Sequence, residues 1–329
     1  MSREFDVVCL GGGVAGEAIA FGLQDSGLTL AVVERELVGG ECPYWGCVPS
    51  KTLLRSAETL EESARARVLA ASRVEWNVDF PKVSRRVLWM ARNLDDTRPA
   101  AAMEATGARL FRGEGKLNDL RTVEVGGEQL VARRAIVIAN GSTAAIPPIS
   151  GLDKVEFWTN RQAAIPRELP VSLAILGGGA IGVELAWLKV DPATLEAQPG
   201  VFGAGDVTGL GGFTHLADYH GQIVARRLRG LDARADHTAV PRVTFTDPEI
   251  ASVGLSEAAA RAKGIDVVVA STARLHPPRA GEILGELVLA IKLGTPLKTL
   301  ADIIHPYPAF NRVLGTSLGE LAEKAASRR

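Results

Sequence analysis

Only three cysteines occur among the 329 residues, too few for the disulfide framework of a small secreted domain. A dominant charge is also lacking: 37 basic and 38 acidic side chains leave a formal net charge of −1. No basic face follows, so nucleic acid is not an expected partner. No apolar run approaches the ~18–20 residues of a membrane span. The first residues, Met1-Ser2-Arg3-Glu4-Phe5, lead straight into strand-like text without an apolar leader. A cytoplasmic protein is therefore the expectation. The remainder is ordinary globular composition, 47% hydrophobic and 23% charged, at a length that suggests about two domains. Two of the cysteines lie close together, which points to redox chemistry or metal binding.

The first motif is a phosphate site. Phe5 to Leu10 is a short apolar run that predicts a buried strand, followed by Gly11-Gly-Gly-Val-Ala-Gly16 and a helical stretch from Glu17 to Leu23. Gly11, Gly13 and Gly16 fill a G-x-G-x-x-G frame. The first allows the tight turn, the second a close approach of backbone to pyrophosphate, and the third close packing of helix on strand. Free N–H groups at the helix start complete an anion site. A second strand, Leu28 to Val33, ends at Glu34, 18 residues past Gly16, where an acid for ribose hydroxyls belongs. This context raises the motif from a glycine-rich turn to a dinucleotide site. Cys9, inside the first strand, reads as a small buried hydrophobe.

Cys42 and Cys47 stand in Gly39-Gly-Glu-Cys-Pro-Tyr-Trp-Gly-Cys-Val-Pro-Ser-Lys51, at the start of a helix whose Ala/Leu/Arg/Glu-rich text runs from Thr52 onward. Thiols five apart can meet across a distorted turn, and a helix N-terminus lowers a thiol pKa. Plain alternatives are two buried thiols or half a zinc site, but no second ligand pair has the usual spacing for zinc. The stretch Gly-Gly-x-Cys-x4-Cys-Val-Pro-Ser-Lys resembles the redox motif of the FAD-dependent pyridine nucleotide-disulfide oxidoreductases, the glutathione reductase, dihydrolipoamide dehydrogenase and mercuric reductase group. The resemblance implies that Cys42 exchanges with the acceptor, that Cys47 contacts the flavin, and that Lys51 lies near flavin N5. A thioredoxin reductase-like pair would have two intervening residues and a different place in the chain.

The resemblance continues in order. Ala139-Asn-Gly-Ser142 is similar to the family's Ala-Thr-Gly element, and Val201-Phe-Gly-Ala-Gly-Asp-Val207 to its second FAD motif. It implies FAD contacts at Gly11, Gly13, Gly16, Glu34, Lys51, Gly115, Gly141, Asp206 and Thr214, the last at the start of a helix aimed at the flavin. His215 and His220, five apart on that helix, read as structural, and no metal site is expected. Text from Val243 onward is similar to the family's interface domain.

The pattern breaks in three places. Gly177, Gly179 and Gly182 open a second glycine motif, but only 21 positions separate Gly182 from Gly203, whereas a further βαβ crossover takes ~30 residues. Most of a nicotinamide domain is missing, so use of NAD(P)H is doubtful. Glu184 matches the family glutamate that pairs with Lys51, and Trp187 and Leu188 are expected to cover the shortened segment. In the interface domain, Ala273–Glu282 runs directly into Ile283–Ile291 without the strand text of relatives. Near the C-terminus, Ile304-His-Pro-Tyr-Pro-Ala-Phe-Asn-Arg312 lacks the family's histidine–glutamate spacing. Aligned on Tyr307-Pro308, tyrosine takes the histidine's place and Arg312 the glutamate's; aligned on His305-Pro306, Phe310 takes the glutamate's place. The pair is absent either way, and a tyrosine is a poor base at neutral pH.

The expected fold class is α/β: a Rossmann-type FAD-binding domain with a parallel sheet, plus a shortened α+β C-terminal interface domain. Expected boundaries are 1–170 and 196–239 for the two parts of the FAD domain, 171–195 for the nicotinamide-domain remnant, and 240–329 for the interface domain. The expected activity is electron transfer between NAD(P)H, flavin, the Cys42–Cys47 disulfide and a small-molecule or disulfide acceptor. A non-catalytic flavin-binding remnant is the alternative. Relatives are homodimers, and the depleted interface domain leaves that state open here.

Overall fold

The structure, a computed structural model, describes residues 2–144, 146, 149–170, 190–246, 249–269, 280–306, 309 and 311–327. It divides into two units, Met1–Ala235 and Asp236–Arg329.

The first unit is built on β1 (Ser2–Leu10), α1 (Val14–Leu23) and β2 (Leu30–Glu34), followed by α2 (Glu41–Tyr44) and α3 (Cys47–Leu69). Next come α4 (Phe80–Met90), α5 (Thr97–Ala105), β3 (Arg109–Arg112), β4 (Gly115–Leu117), β5 (Thr122–Val125) and β6 (Glu128–Ile138). The unit closes with α6 (Asn160–Ala164), β7 (Glu196–Gln198), β8 (Val201–Gly203) and α7 (Thr214–Leu228). Strands β3-β2-β1-β6-β8 run parallel, and β4 and β5 extend β6 as an antiparallel meander. This is the expected α/β class with a Rossmann-type parallel core.

Alternation along β1 divides its apolar side chains between two layers. Val7 and Cys9 join Ile19, Leu23, Val137, Ile223 and Val224 in one core layer, while Val8 and Leu10 join Val33, Val123, Leu130 and Ile136 in the other. Burial on both faces is why the strand reads as an unbroken apolar run. Helices α1 and α7 lie close together because small residues line their contact. A Cβ on Gly221 would come within 2.6 Å of the Ala15 carbonyl oxygen.

One polar group secures the start of this sheet. The Asp6 carboxylate accepts from the Thr29 N–H and hydroxyl, both at 2.9 Å, and is flanked by Arg133 and Arg134. The Thr29 amide, then the Arg133 and Thr29 side chains, lower its pKa to about 2. Because the folded value lies below the ordinary carboxylate value, this contribution is complete above pH ~4 and is lost as pH falls towards 2. Asp6→Asn is expected to cost about 1–2 kcal/mol at pH 7. In urea denaturation, the gap from wild type should narrow below pH 4.

The second unit holds a two-stranded antiparallel hairpin of β9 (Pro241–Thr244) and β10 (Ile250–Val253). Its helices are α8 (Glu257–Ala262), α9 (Ala280–Leu293), α10 (Leu297–Ala301) and α11 (Arg312–Ala326). Glu249 accepts the Gly281 N–H at 3.0 Å near the start of α9. Lys292 near the end of α9 donates to the Asp236 carboxylate at 2.7 Å. Among the described residues this is a small α+β unit whose only sheet is the hairpin. No helix among them is long and apolar enough to cross a membrane.

Candidate active site

The carboxyl ends of β1, β2, β6 and β8 lie side by side, and the loops that leave them carry the motifs. Parallel pairing sets Leu10 beside both Val33 and Ile138, and Ile138 beside Gly203. Residues 11–16, 34, 139–142 and 204–206, separated by up to about two hundred positions in sequence, therefore share one edge of the sheet. Ligands of doubly wound folds bind at such an edge.

Gly11 has φ +109°, and a Cβ there would sit 2.2 Å from the Ala139 carbonyl oxygen. A Cβ on Gly16 would stand 2.2 Å from the Gly11 carbonyl oxygen, so the third glycine serves helix–strand contact. Gly13 differs, since the nearest atom to its would-be Cβ is the Gly40 Cα at 3.7 Å. Gly13 is also the N-cap of α1 and supplies no side chain to the free N–H groups there. The Glu34 carboxylate reaches into this loop, accepting the Gly12 N–H and the Glu36 N–H, each at 2.7 Å. An open backbone cradle, an uncapped helix start and an adjacent carboxylate fit a dinucleotide whose pyrophosphate meets the N–H groups and whose ribose meets Glu34.

Asp206 stands just past the end of β8, and its carboxylate accepts the Ser142 hydroxyl at 2.6 Å. Gly141 and Asp206 are thereby brought together. His220 is completely buried, and its Nδ1 accepts the Gly205 N–H at 3.1 Å. That bond fixes the loop before Asp206 and gives His220 a structural task. Among the described residues no cluster of metal-binding side chains occurs. Gly115 lies at the start of β4, where a Cβ would meet Leu10 at 2.4 Å and Val33 at 2.9 Å. Its smallness serves core packing.

The cysteine loop leaves the same edge. Gly39 pairs with Gly13 as an isolated parallel bridge, which holds the two glycine segments together. Helix α2 makes one turn and α3 begins at Cys47, which puts the second thiol at a helix start. Pro49 does not disturb that start, because proline is tolerated in a first helical turn. Gly46 lets the chain curl back: a Cβ there would lie 3.1 Å from the Glu41 carbonyl and 3.3 Å from the Cys42 Cα.

Both cysteines are half-buried free thiols within hydrogen-bonding reach of each other. Cys47 Sγ also lies 3.2 Å from the Thr214 hydroxyl at the start of α7. The Cys42 thiol, the Thr214 hydroxyl and the Lys51 charge outweigh burial and lower the Cys47 pKa to about 5. The Cys42 pKa is raised, chiefly by that same bond to Cys47 and then by burial. The two thiols thus titrate as a pair, in which the surroundings favour negative charge on Cys47. Cys9, fully buried, is pushed up to about 12 by desolvation and takes no part.

Residues 5–191 match the family model described as pyridine nucleotide-disulphide oxidoreductase, and residues 240–280 match that family's dimerisation domain. The chain belongs to this family. It is 24% identical over 438 aligned positions to a mercuric reductase of Lysinibacillus sphaericus, covering 92% of this chain and 80% of the relative. A dihydrolipoyl dehydrogenase of Acholeplasma laidlawii is 33% identical over 191 positions, covering 56% of each chain. The fold is shared with the HOCl-induced flavoprotein disulfide reductase RclA of Escherichia coli at a TM-score of 0.78 and 19% identity, covering 97% of this chain and 99% of that one. It is likewise shared with LpdA of Mycobacterium tuberculosis at a TM-score of 0.76. Members of this family are FAD- and NAD(P)-binding oxidoreductases.

Gly177, Gly179, Gly182, Glu184, Trp187, Leu188 and Tyr307 lie outside the described residues. Sequence reasoning missed three arrangements. One is the Ser142–Asp206 bond. Another is the nearly buried His305, whose Nε2 meets the Glu286 carboxylate at 3.0 Å, so a histidine–glutamate pair exists with an acid that precedes the histidine. The third is Arg161, which closes over the cysteine loop.

Proposed function

We propose that this chain passes electron pairs between a bound FAD and the Cys42–Cys47 pair, and from there to a disulfide or similar two-electron acceptor, with direct nicotinamide use weakened. The observation that carries the proposal is the thiol pair beside Thr214, on the sheet edge that also presents the dinucleotide cradle. When bound, the flavin supplies the two-electron store between nicotinamide and dithiol. Gly11, Gly13, Gly16, Glu34, Gly141 and Asp206 hold it in this proposal, and Lys51 places a positive charge near its ring.

The outward half-reaction follows from the shared proton. Cys42 passes its proton to the Cys47 thiolate and attacks one sulfur of the acceptor. A mixed disulfide forms, and one acceptor thiolate leaves and takes up a proton. Cys47, giving up its proton, then attacks Cys42 Sγ and expels the second acceptor thiolate. The Cys42–Cys47 disulfide remains, and two electrons have reached the acceptor.

Two facts support weakened nicotinamide use. Gly182 and Gly203 are separated by too little chain for a complete nicotinamide domain. The alignment of 438 positions to the mercuric reductase also exceeds the 329 residues available, the pattern left when an internal segment is absent. A nicotinamide bound without its domain forfeits positioning, which is worth many orders of magnitude in rate.

The test is an anaerobic titration of the FAD-loaded protein with NADPH, NADH and dihydrolipoamide, followed by visible absorbance. The expected result is prompt flavin reduction by the dithiol, with reduction by either nucleotide slower by at least about 100-fold. Equally fast reduction by a nucleotide would remove the claim of weakened use. A flavin indifferent to the dithiol would remove the thiol–flavin coupling. A homodimer contacting through the 287–293 face of α9 is part of the same proposal and is read by sizing chromatography.

A further inference from the structure

We propose that Arg161 is the positioning residue of the cysteine loop, holding Cys42 against Cys47 and cancelling the carboxylate next to Cys42. This rests on the thiol pair having the function proposed above.

The grip starts with the backbone under the arginine. Thr159 and Gln162 form a capping box at the start of α6, which fixes the direction in which residues 160 and 161 leave the helix. The guanidinium then forks onto Glu36, with Nη1 donating to Oε1 at 2.9 Å and Nη2 to Oε2 at 2.7 Å. Its Nε donates to Glu41 Oε1 at 3.0 Å, and Nη2 reaches the same oxygen. The cation also lies over the Trp45 ring, 4.1 Å from its centroid. Asn160 adds weaker bonds of 3.4 Å to Glu41 Oε2 and to the Trp45 carbonyl.

These anchor points are not scattered. Glu41 immediately precedes Cys42, and Trp45 stands two residues before Cys47. Residues 41 to 45, the arc that decides the distance between the two sulfurs, are therefore held at both ends by one side chain from about 120 positions away. An isolated exposed ion pair would fix little. This one combines a bidentate fork, a second carboxylate and a stacked ring, the geometry in which arginine is not replaceable by lysine. The electrostatic part has the same address. Glu36 and Glu41 are two negative charges beside the loop, and Arg161 is within bonding distance of both. Without it, an uncompensated carboxylate would stand one residue from Cys42 and disfavour a thiolate in the pair.

The test is the pH dependence of cysteine alkylation in the reduced full chain, read residue by residue as iodoacetamide adducts by mass spectrometry. It needs no turnover and no bound flavin. Wild type should show Cys47 reacting with a midpoint well below the ordinary thiol range. R161M should raise that midpoint by about one unit, lowering Cys47 alkylation about twofold at pH 6 and about tenfold at pH 4. R161K, which keeps the charge but not the fork, should fall between the two. The circular dichroism spectra of the variants should match wild type. A midpoint in R161M equal to wild type overturns the proposal. Should R161M fail to fold, an R161K profile superimposable on wild type overturns it as well. A wild-type protein with no low-pKa thiol removes the functional reading itself, and this proposal falls with it.

Discussion

Cys47→Ser is expected to lower dithiol-dependent turnover by on the order of 1,000-fold, which corresponds to about 4 kcal/mol of barrier. The reason lies in the proton shared by the pair. Cys47 Sγ sits 3.2 Å from the Thr214 hydroxyl and within reach of Cys42, with Lys51 adding a favourable charge. In the proposed cycle these contacts stabilise a sulfur anion that accepts the proton of Cys42 and later displaces the acceptor's second thiol. A serine hydroxyl ionises far above neutral pH, so it does neither, and Cys42 would be left as a mixed disulfide. Cys42→Ser should also abolish exchange, but for a different reason: it removes the attacking sulfur while leaving a thiolate at position 47. The two variants are separated by mass spectrometry after mixing with a disulfide substrate. An adduct should accumulate on Cys47→Ser. Turnover retained within tenfold of wild type in Cys47→Ser would contradict the assignment.

The second large effect distinguishes the glycines of the first motif. Gly11→Ala places a Cβ 2.2 Å from the Ala139 carbonyl in a residue at φ +109°, which only glycine adopts without strain. A loss of about 3 kcal/mol of stability is expected, from the clash and the backbone together. Gly13→Ala should behave in the opposite way. Its Cβ meets nothing closer than 3.7 Å, and its φ of −74° is ordinary, so the apoprotein should stay within about 1 kcal/mol of wild type. The added methyl would point into the cradle proposed for pyrophosphate and should weaken FAD binding about 10- to 100-fold. Urea denaturation of the apoproteins and FAD fluorescence titration measure the two quantities. If Gly13→Ala binds FAD as wild type does, the cradle does not hold the dinucleotide.

The readable features were those governed by short-range rules. Gly11, Gly16 and Glu34 were legible because turn, helix and second strand follow one another within a few dozen residues, and each glycine answers a local steric demand. The parallel core was legible because Val7, Val8, Cys9 and Leu10 are all buried and leave no polar face to mark. The pairing of the thiols depends on the backbone bend at Gly46, a conformation that spacing alone does not state.

What stayed hidden depends on distant polar partners. Arg161 reads as one arginine among many until the fold brings Glu36, Glu41 and Trp45 beneath it. Glu286 on α9 and His305 in the segment after α10 lie 19 residues apart, so no local motif announces their pair. Ser142 and Asp206 meet only because β6 and β8 are neighbours. Such contacts follow from sheet order, and sheet order was fixed by the apolar pattern and not by these residues.

A Cys42–Cys47 dithiol coupled to a flavin on this sheet edge, as proposed, has a spectroscopic signature. The most direct measurement is the visible spectrum of the FAD-loaded protein after one equivalent of dithiothreitol under anaerobic conditions. A long-wavelength thiolate–flavin absorbance is expected, absent in Cys47→Ser, retained in Cys42→Ser, and fading only as pH falls towards 5. A protein that binds no FAD, or a spectrum indifferent to the loss of Cys47, would contradict it.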